Sequence, residues 1–188
     1  MAEALCAFLD ASVLYPVSLR NLLMRLSLES LFQAKWSAKI HEEWINAVLR
    51  DNPQIPVSRL HALRDAMDAH VDDAVVTDYE HLIATLTLPD SGDRHVLAAA
   101  ISGQATVIIT RNLRDFPGEV LARHNMRAVH PDEFVSGLIE VAPSVVLKAV
   151  SDQQRRLTKP PITMDELLSV FLRLDLRATV AQLRGMKV

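Results

Sequence analysis

Four acidic residues of this 188-residue chain stand where carboxylates could do chemistry together. Asp10 ends the apolar run ALCAFLD, and Glu43 lies within a helical pattern. Asp93 precedes the run RHVLAAA, and Asp115 follows ATVIIT, the strongest strand pattern in the chain. Two carboxylates about 5 Å apart repel each other by roughly 3 kcal/mol at an effective dielectric of 20. A cluster of four therefore needs protons or a cation, and oxygen ligands suit Mg²⁺ or Mn²⁺.

A divalent ion in such a cluster could activate a water molecule and stabilise the charge of an in-line displacement at phosphorus. The predicted chemistry is phosphodiester hydrolysis. Each acid taken alone also has a purely structural explanation, because acids cap helices and turns and complement helix dipoles. The presence of all four is what favours the chemical interpretation.

Strand patterns alternate with helical patterns along most of the chain. The predicted strands are ALCAFLD, SLFQAKW, DAVVTD, ATVIIT and MRAVH, of which the last is expected at an edge. This alternation predicts an α/β fold with a Rossmann-like, mainly parallel sheet sandwiched by helices. In such folds the functional groups gather at the carboxyl ends of the strands, beside a topological switch point.

Helical geometry separates neighbouring acids by the direction they face. At 100° per residue, Glu43 lies roughly 60° from Ile40 and borders the apolar stripe of its helix, whereas Glu42 points roughly 160° away. Asp93 shares the inward face of the candidate helix from about Asp93 to Gly103, and His95 is expected off that face as a surface or packing residue. Asp90 precedes the helix and is expected to be a turn acid.

The last part of the chain has a different pattern and a different charge. Residues 143–188 show helical periodicity without a strand candidate, and Thr163 and Glu166 have the spacing of a capping box. Residues 1–142 carry 12 Lys and Arg against 19 Asp and Glu, a net charge of −7, whereas residues 143–188 carry 8 against 4, a net +4. We predict a domain at 1–142 and a helical extension at 143–188 that docks on it or attracts a polyanion.

Several classes of protein are disfavoured by composition. The single Cys6 cannot form an internal disulfide and is expected to be a small buried side chain. The N-terminal segment lacks the basic region of a secretory signal, and no apolar run is long enough for a membrane span, so a cytoplasmic location is expected. The 5 glycines form no phosphate-binding loop.

Four segments in order, FLDAS, WSAKIHEEW, DRHVLAAA and IITRNLRDFP, resemble the PIN-domain family in its bacterial branch of VapC-like toxin ribonucleases. The resemblance runs over roughly residues 4–135, and residues 143–188 extend beyond it as a helical extension. It implies an endoribonuclease that depends on Mg²⁺ or Mn²⁺. The implied acidic quartet of catalytic and metal-binding residues is Asp10, Glu43, Asp93 and Asp115, with Thr110 and Asn112 as supporting residues.

The resemblance also implies an RNA substrate, a small cognate antitoxin and a homodimer, which together describe the toxin of a type II toxin–antitoxin pair. Basic residues near the acids and in the extension are candidates for contacts with RNA phosphates. These candidates are Arg111, Arg114, Arg155 and Arg156. Trp36 and Trp44 are expected in the core rather than as stacking platforms for bases.

Three other interpretations remain, of which a phosphoacceptor signalling domain is disfavoured because the acids come late in the chain for that class. The chain could be a catalytically inactive PIN-like module that binds protein or RNA, although its intact acids disfavour loss of catalysis. An aspartyl-phosphate phosphatase also places an Asp after the first strand, but it needs a second acid two residues later. That position is Ser12 in this chain, which weakens the phosphatase interpretation.

Overall fold

The computed structural model describes residues 5–186, so the outermost residues of both predicted domains, 1–4 and 187–188, lie outside the described residues. Its central feature is a sheet of five strands in the order β3-β2-β1-β4-β5. All of the strand pairs are parallel. The strands are β1 (Cys6–Leu9), β2 (Gln33–Ser37), β3 (Val75–Val76), β4 (Val107–Ile109) and β5 (Arg127–Val129).

The strand order places a topological switch point at the middle of the sheet. From β1 the chain first adds β2 and β3 on one side, then returns through β4 and β5 on the other. Leu9 pairs with Ile109, so the residues that follow β1 and β4 leave the sheet side by side. The predicted α/β fold is confirmed, with β5 at an edge, and its expected functional edge is the carboxyl end of β1 and β4.

Helices cover the sheet and continue beyond its last strand. Those that accompany the sheet are α1 (Ala11–Leu14), α2 (Val17–Leu28), α3 (Ala38–Asp51), α4 (Val57–His70), α5 (Glu80–Ile83), α6 (Arg94–Ser102) and α7 (Gly118–Leu121). Those that follow β5 are α8 (Pro131–Val141), α9 (Pro143–Arg156), α10 (Met164–Arg173) and α11 (Arg177–Gly185). Within residues 5–186, no helix has the length and apolarity needed to cross a membrane.

Helix α6 is buried on every side rather than on one face. All residues from His95 to Ala100 are buried, and the helix packs against β1, β2 and β4. The small side chains of Ala98, Ala99 and Ala100 allow this close approach, because they add little bulk between helix and sheet. Of the two positions expected for His95, surface or packing, the structure shows the second, because His95 is buried within this helix.

Side chains cap the first turns of α3 and α10, and the second of these caps is the predicted capping box. The Ser37 side chain accepts a hydrogen bond from Ile40 N and so caps α3. Thr163 and Glu166 form the reciprocal capping box at the start of α10. The short helix α1 was not predicted, because its four residues are too few to show a periodicity before Pro16.

The C-terminal helices pack on the sheet domain and on each other. Helix α9 lies against α2, where Gln153 Nε2 donates to Ser18 O at 2.9 Å. Helix α11 packs on α8, and the Asp132 carboxylate accepts from Ala178 N and Thr179 N at 2.9 and 2.8 Å. Asp132 thereby caps α11 from the next helix over. The division between residues 142 and 143 stays a prediction.

Replacing Asp132 with Ala should lower the stability of the chain, because two backbone N–H groups at the start of α11 lose their acceptor. Loss of a helix cap of this kind costs about 1 kcal/mol, which for a chain of this size lowers the melting temperature by roughly 2–4 °C. Thermal unfolding followed by circular dichroism measures the change. Asp72→Ala, at an exposed loop position, is the matched control and should leave the melting temperature unchanged.

Candidate active site

Asp10 is the first residue after β1, and the sheet itself fixes its backbone. Asp10 N donates to Ile109 O of β4 at 3.1 Å, and the residue is 6% exposed. Although Asp10 occupies the N-cap position of α1, its side chain makes no capping hydrogen bond. The structural explanation of Asp10 as a helix cap is therefore wrong, and its carboxylate is oriented by other groups.

Two hydroxyl groups hold one oxygen of the Asp10 carboxylate. Ser12 Oγ donates to Asp10 Oδ2 at 2.6 Å, and Thr110 Oγ1 donates to the same oxygen at 2.8 Å. Each hydroxyl has one proton, so both protons are committed to Asp10. Backbone N–H groups complete the arrangement, because Arg111 N donates to Ser12 Oγ and Asn112 N donates to Thr110 Oγ1, both at 3.0 Å. The loop after β4 thus orients the acid after β1.

Asp93 lies at the junction of the 3₁₀ turn Ser91–Asp93 and helix α6, and it is partly buried. Its side chain makes no capping hydrogen bond to α6. Burial raises the pKa of Asp93 to about 6, with further increases from the charges of Asp10, Asp115 and Asp90, and His95 opposes the rise. The structure therefore brings Asp93, Asp10 and Asp115 close enough for their charges to interact.

Asp115 ends the 3₁₀ turn Leu113–Asp115 that follows β4, and it is partly buried. Its backbone N–H donates to Asn112 O at 3.1 Å, which closes the turn. Phe116, the next residue, is buried at 3% exposure and anchors the turn in the core. The segment T-R-N-L-R-D-F thus supplies both the Thr110 hydroxyl that orients Asp10 and the third aspartate.

Glu43 of α3 is partly buried, whereas the neighbouring Glu42 is exposed, as helical geometry predicted. Glu43 does not contribute to the raised pKa of Asp93. It is instead paired with His95, whose Nε2 lies 2.8 Å from Glu43 Oε1. His95 thus connects α6 to α3, and its own charge acts on Asp93. Asp90 has the role expected of a turn acid: it is exposed and accepts from Gly92 N at 2.7 Å.

The carboxylates of Asp10, Asp93 and Asp115 fit a hard divalent cation, because Mg²⁺ and Mn²⁺ prefer oxygen ligands that carry negative charge. Across residues 5–186, no three His, Cys, Asp or Glu side chains come together in the arrangement of a finished metal site. The three aspartates are thus near enough to raise the pKa of Asp93 without forming a complete ligand shell. A bound cation would offset this repulsion between the carboxylates.

A cleft of about 460 Å³ adjoins the acids. Ser12 and Glu43 form its border with the acid cluster, whereas Asp10, Asp93 and Asp115 are not among its lining residues. The lining comes from five parts of the chain, including the turn between α10 and α11. It consists of Ala11, Ser12, Tyr15, Glu43, Trp44, Ala47, Arg50, Asp51, Arg111, Asn112, His130 and Asp175.

The four arginines predicted to contact RNA phosphates have different positions. Arg111 lines the cleft, and Arg114 is exposed in the turn beside Asp115. Arg155 is exposed at the end of α9 and pairs with Asp152, one turn earlier on the same helix. Arg156 is exposed next to it, and neither residue lines the cleft. Their roles toward RNA stay predictions, with Arg111 nearest to the acids.

Three residues of the site were not singled out from the sequence. Ser12 could have been suspected from its position two residues after Asp10, because a Ser hydroxyl can donate to a carboxylate within its reach. His95 was expected only as a surface or packing residue, and its partner Glu43 is 52 positions away in the chain. Asp175 gave no signal, because only the packing of α10 and α11 brings it to the cleft.

Replacing Asp93 with Asn should stabilise the metal-free protein at neutral pH. The pKa of Asp93 is about 6 in the folded protein, above its ordinary value of 3.8. At pH 7 the side chain is therefore ionised in both states, and the ionised form lowers the free energy of unfolding. With an allowance for solvent screening, removing that charge is worth about 1 kcal/mol, or roughly 2–4 °C in melting temperature.

The stabilisation of Asp93→Asn relative to the wild-type protein should shrink as the pH falls from 6 toward 4, because the folded wild-type carboxyl then takes up a proton. The variant is not expected to become the less stable protein at any pH in this range. Scanning fluorimetry in EDTA at pH 7.5 and 5.0 measures both effects, with Asp72→Asn as the exposed control. A variant that melts below the wild-type protein at pH 7.5 would contradict the assigned repulsion.

Two family models match the chain and together cover most of it. Residues 6–114 match the PIN domain, and residues 131–185 match the VapC50 C-terminal domain. The first match includes β1 to β4, three of the four predicted acids, Thr110 and Asn112. The second includes α8 to α11 and therefore Asp132 and Asp175.

A curated relative is the Mycobacterium tuberculosis (strain ATCC 25618 / H37Rv) protein named "Putative ribonuclease VapC50". It is 34% identical over 93 residues, which are 50% of this chain and 54% of the relative. The aligned region thus spans about half the length of each protein. No solved structure matches the chain at a significant level. The parallel sheet, the placement of the acids and the two domain matches agree: this chain belongs to the PIN domain family and is a VapC-like member with a helical C-terminal extension.

Proposed function

We propose that this protein is a metal-dependent endoribonuclease that hydrolyses RNA phosphodiesters with the help of Mg²⁺ or Mn²⁺. The observation that carries the proposal is the meeting of Asp10, Asp93 and Asp115 at one edge of the sheet. The raised pKa of Asp93, which comes from burial and from the charges of Asp10 and Asp115, supports it. Perturbed carboxyl groups beside a cleft are a mark of functional sites. The name of the relative, a ribonuclease, supports the choice of substrate.

In this proposal Asp10, Asp93, Asp115 and Glu43 hold the cation, which supplies an activated water and charge stabilisation at the phosphate. Ser12 and Thr110 keep Asp10 in one orientation by donating to Oδ2, so that Oδ1 is left for ligation. His95 holds Glu43 through the contact of 2.8 Å between His95 Nε2 and Glu43 Oε1. Asn112 N holds the Thr110 hydroxyl in place.

In this proposal Arg111 attracts the RNA backbone. Its side chain lines the cleft, and its backbone N–H is bonded to Ser12, next to Asp10. A guanidinium in this position can contact two phosphate oxygens at once and would hold the scissile phosphate beside the acids. Arg114, Arg155 and Arg156 are the more distant candidates for contacts along the RNA.

We further propose that the protein is the toxin of a type II toxin–antitoxin pair. Its partners are then a small cognate antitoxin and a second copy of the chain, and its location is the cytoplasm, where its RNA substrate lies. Membership in the VapC-like part of the family supports this assignment. The alternative is a catalytically inactive PIN-like module that binds RNA or protein.

The test of the nuclease is cleavage of structured and unstructured RNA by the purified protein in Mg²⁺, in Mn²⁺ and in EDTA. We expect cleavage with either metal and none in EDTA. Asp10→Asn and Asp93→Asn should lower the rate by at least about 100-fold, because each removes a carboxylate that would hold the cation that stabilises the transition state. Asp72→Asn, which is remote and exposed, should keep the wild-type rate.

Cleavage in EDTA, or equal rates in the Asn variants, would contradict the assignment. If no RNA is cleaved and the protein binds a small partner tightly, the inactive module is the correct interpretation. Induced expression in a bacterial host separates a toxin from a housekeeping nuclease: growth should stop with the wild-type chain and continue with Asp93→Asn.

A further inference from the structure

The cleft beside the acids combines groups that suit an unpaired nucleotide. Tyr15 offers a half-buried aromatic ring, and Arg50 and Arg111 offer guanidinium groups. Unpaired bases are commonly stacked on aromatic or guanidinium planes and bonded along their edges. A volume of about 460 Å³ falls in the range of small-molecule sites. A nucleotide whose phosphate lies at Arg111 would place its base toward the outer rim.

The outer rim is supplied by the C-terminal extension. Asp175 lies in the turn between α10 and α11 with φ of 62°, and its N–H donates to Leu172 O at 3.0 Å. Helix α11 is fixed in turn by Asp132, which caps its first N–H groups. His130, two residues before Asp132, lines the same cleft. A single short segment therefore sets the position of Asp175 relative to the site.

The carboxylate of Asp175 is held only by long contacts. Its oxygens lie 3.9 Å from Arg111 Nη2 and 3.4 Å from Arg177 Nη2, and its side chain is 54% exposed. The other aspartate of the rim is more firmly engaged, because Asp51 accepts from Tyr15 Oη at 2.8 Å and from Arg50 Nε at 3.3 Å. Asp175 is thus the rim carboxylate that remains able to accept two hydrogen bonds from a ligand.

We propose that the cleft is a nucleotide subsite completed by the extension, and that Asp175 selects guanine. Guanine presents two neighbouring N–H donors on its Watson–Crick edge, which match the two oxygens of one carboxylate. Uracil presents one such donor, and the amino groups of adenine and cytosine stand beside an acceptor that a carboxylate repels. This inference rests on the proposed ribonuclease function, because it makes the ligand part of the RNA substrate.

The test measures binding of GMP, AMP, CMP and UMP to the full chain by calorimetry in EDTA, so that binding through a metal ion does not contribute. We expect GMP to bind most tightly and Asp175→Asn to weaken GMP binding by about tenfold. Asn tolerates the left-handed backbone conformation of residue 175, so the turn should persist. Asp165→Asn, an exposed change at the start of α10 in the same extension, is the matched control.

Equal binding of the four nucleotides, absence of binding, or unchanged GMP affinity in Asp175→Asn would overturn the subsite. So would a protein partner that occupies the cleft while GMP does not bind. A second measurement separates this failure from failure of the nuclease. If the wild-type chain cleaves RNA and Asp175→Asn keeps the same KM and base preference, the nuclease stands and the subsite is wrong. A raised KM and a lost preference for guanosine, at unchanged kcat, support it.

Discussion

Carboxylates that repel one another stay together only if the surrounding structure holds them, and this constraint governs the arrangement of the chain. Asp10, Asp93 and Asp115 come from three separate segments, and the sheet brings them to one edge. Burial and mutual charge make the ionised form of Asp93 costly, which is why the pKa rises to about 6. The metal-free site therefore stores unfavourable electrostatic energy that a divalent cation would release.

Contacts with surrounding groups fix the positions of these acids. Asp10 is fixed by the sheet through Ile109 and by the hydroxyls of Ser12 and Thr110. Asp93 directly precedes α6, and the buried residues His95 to Ala100 fix this helix in the core. The C-terminal helices take part as well, because Asp132 ties α11 to α8 and so places Asp175 at the rim of the cleft. The extension is structurally continuous with the site.

The strands, most helices and the inward position of Glu43 could be predicted from the sequence, because periodicity and helix caps are local properties. The raised pKa of Asp93 could be anticipated only as repulsion within a cluster, since its size depends on burial. The pairing of His95 with Glu43 could not be predicted, because it joins two helices that are distant in the chain. Asp175 could not be predicted either, as its place depends on the docking of α11, and a single acid in a turn carries no pattern.

The central claim is that the charges of Asp10 and Asp115 act on Asp93 and that a divalent cation relieves them. Titration of the Asp93 side-chain carboxyl by ¹³C NMR, with and without Mg²⁺, tests it most directly. We expect the pKa of Asp93 to be about 6 in EDTA. With Mg²⁺ present, we expect this pKa to fall below its ordinary value of 3.8. An ordinary pKa in EDTA that Mg²⁺ leaves unchanged would contradict the account.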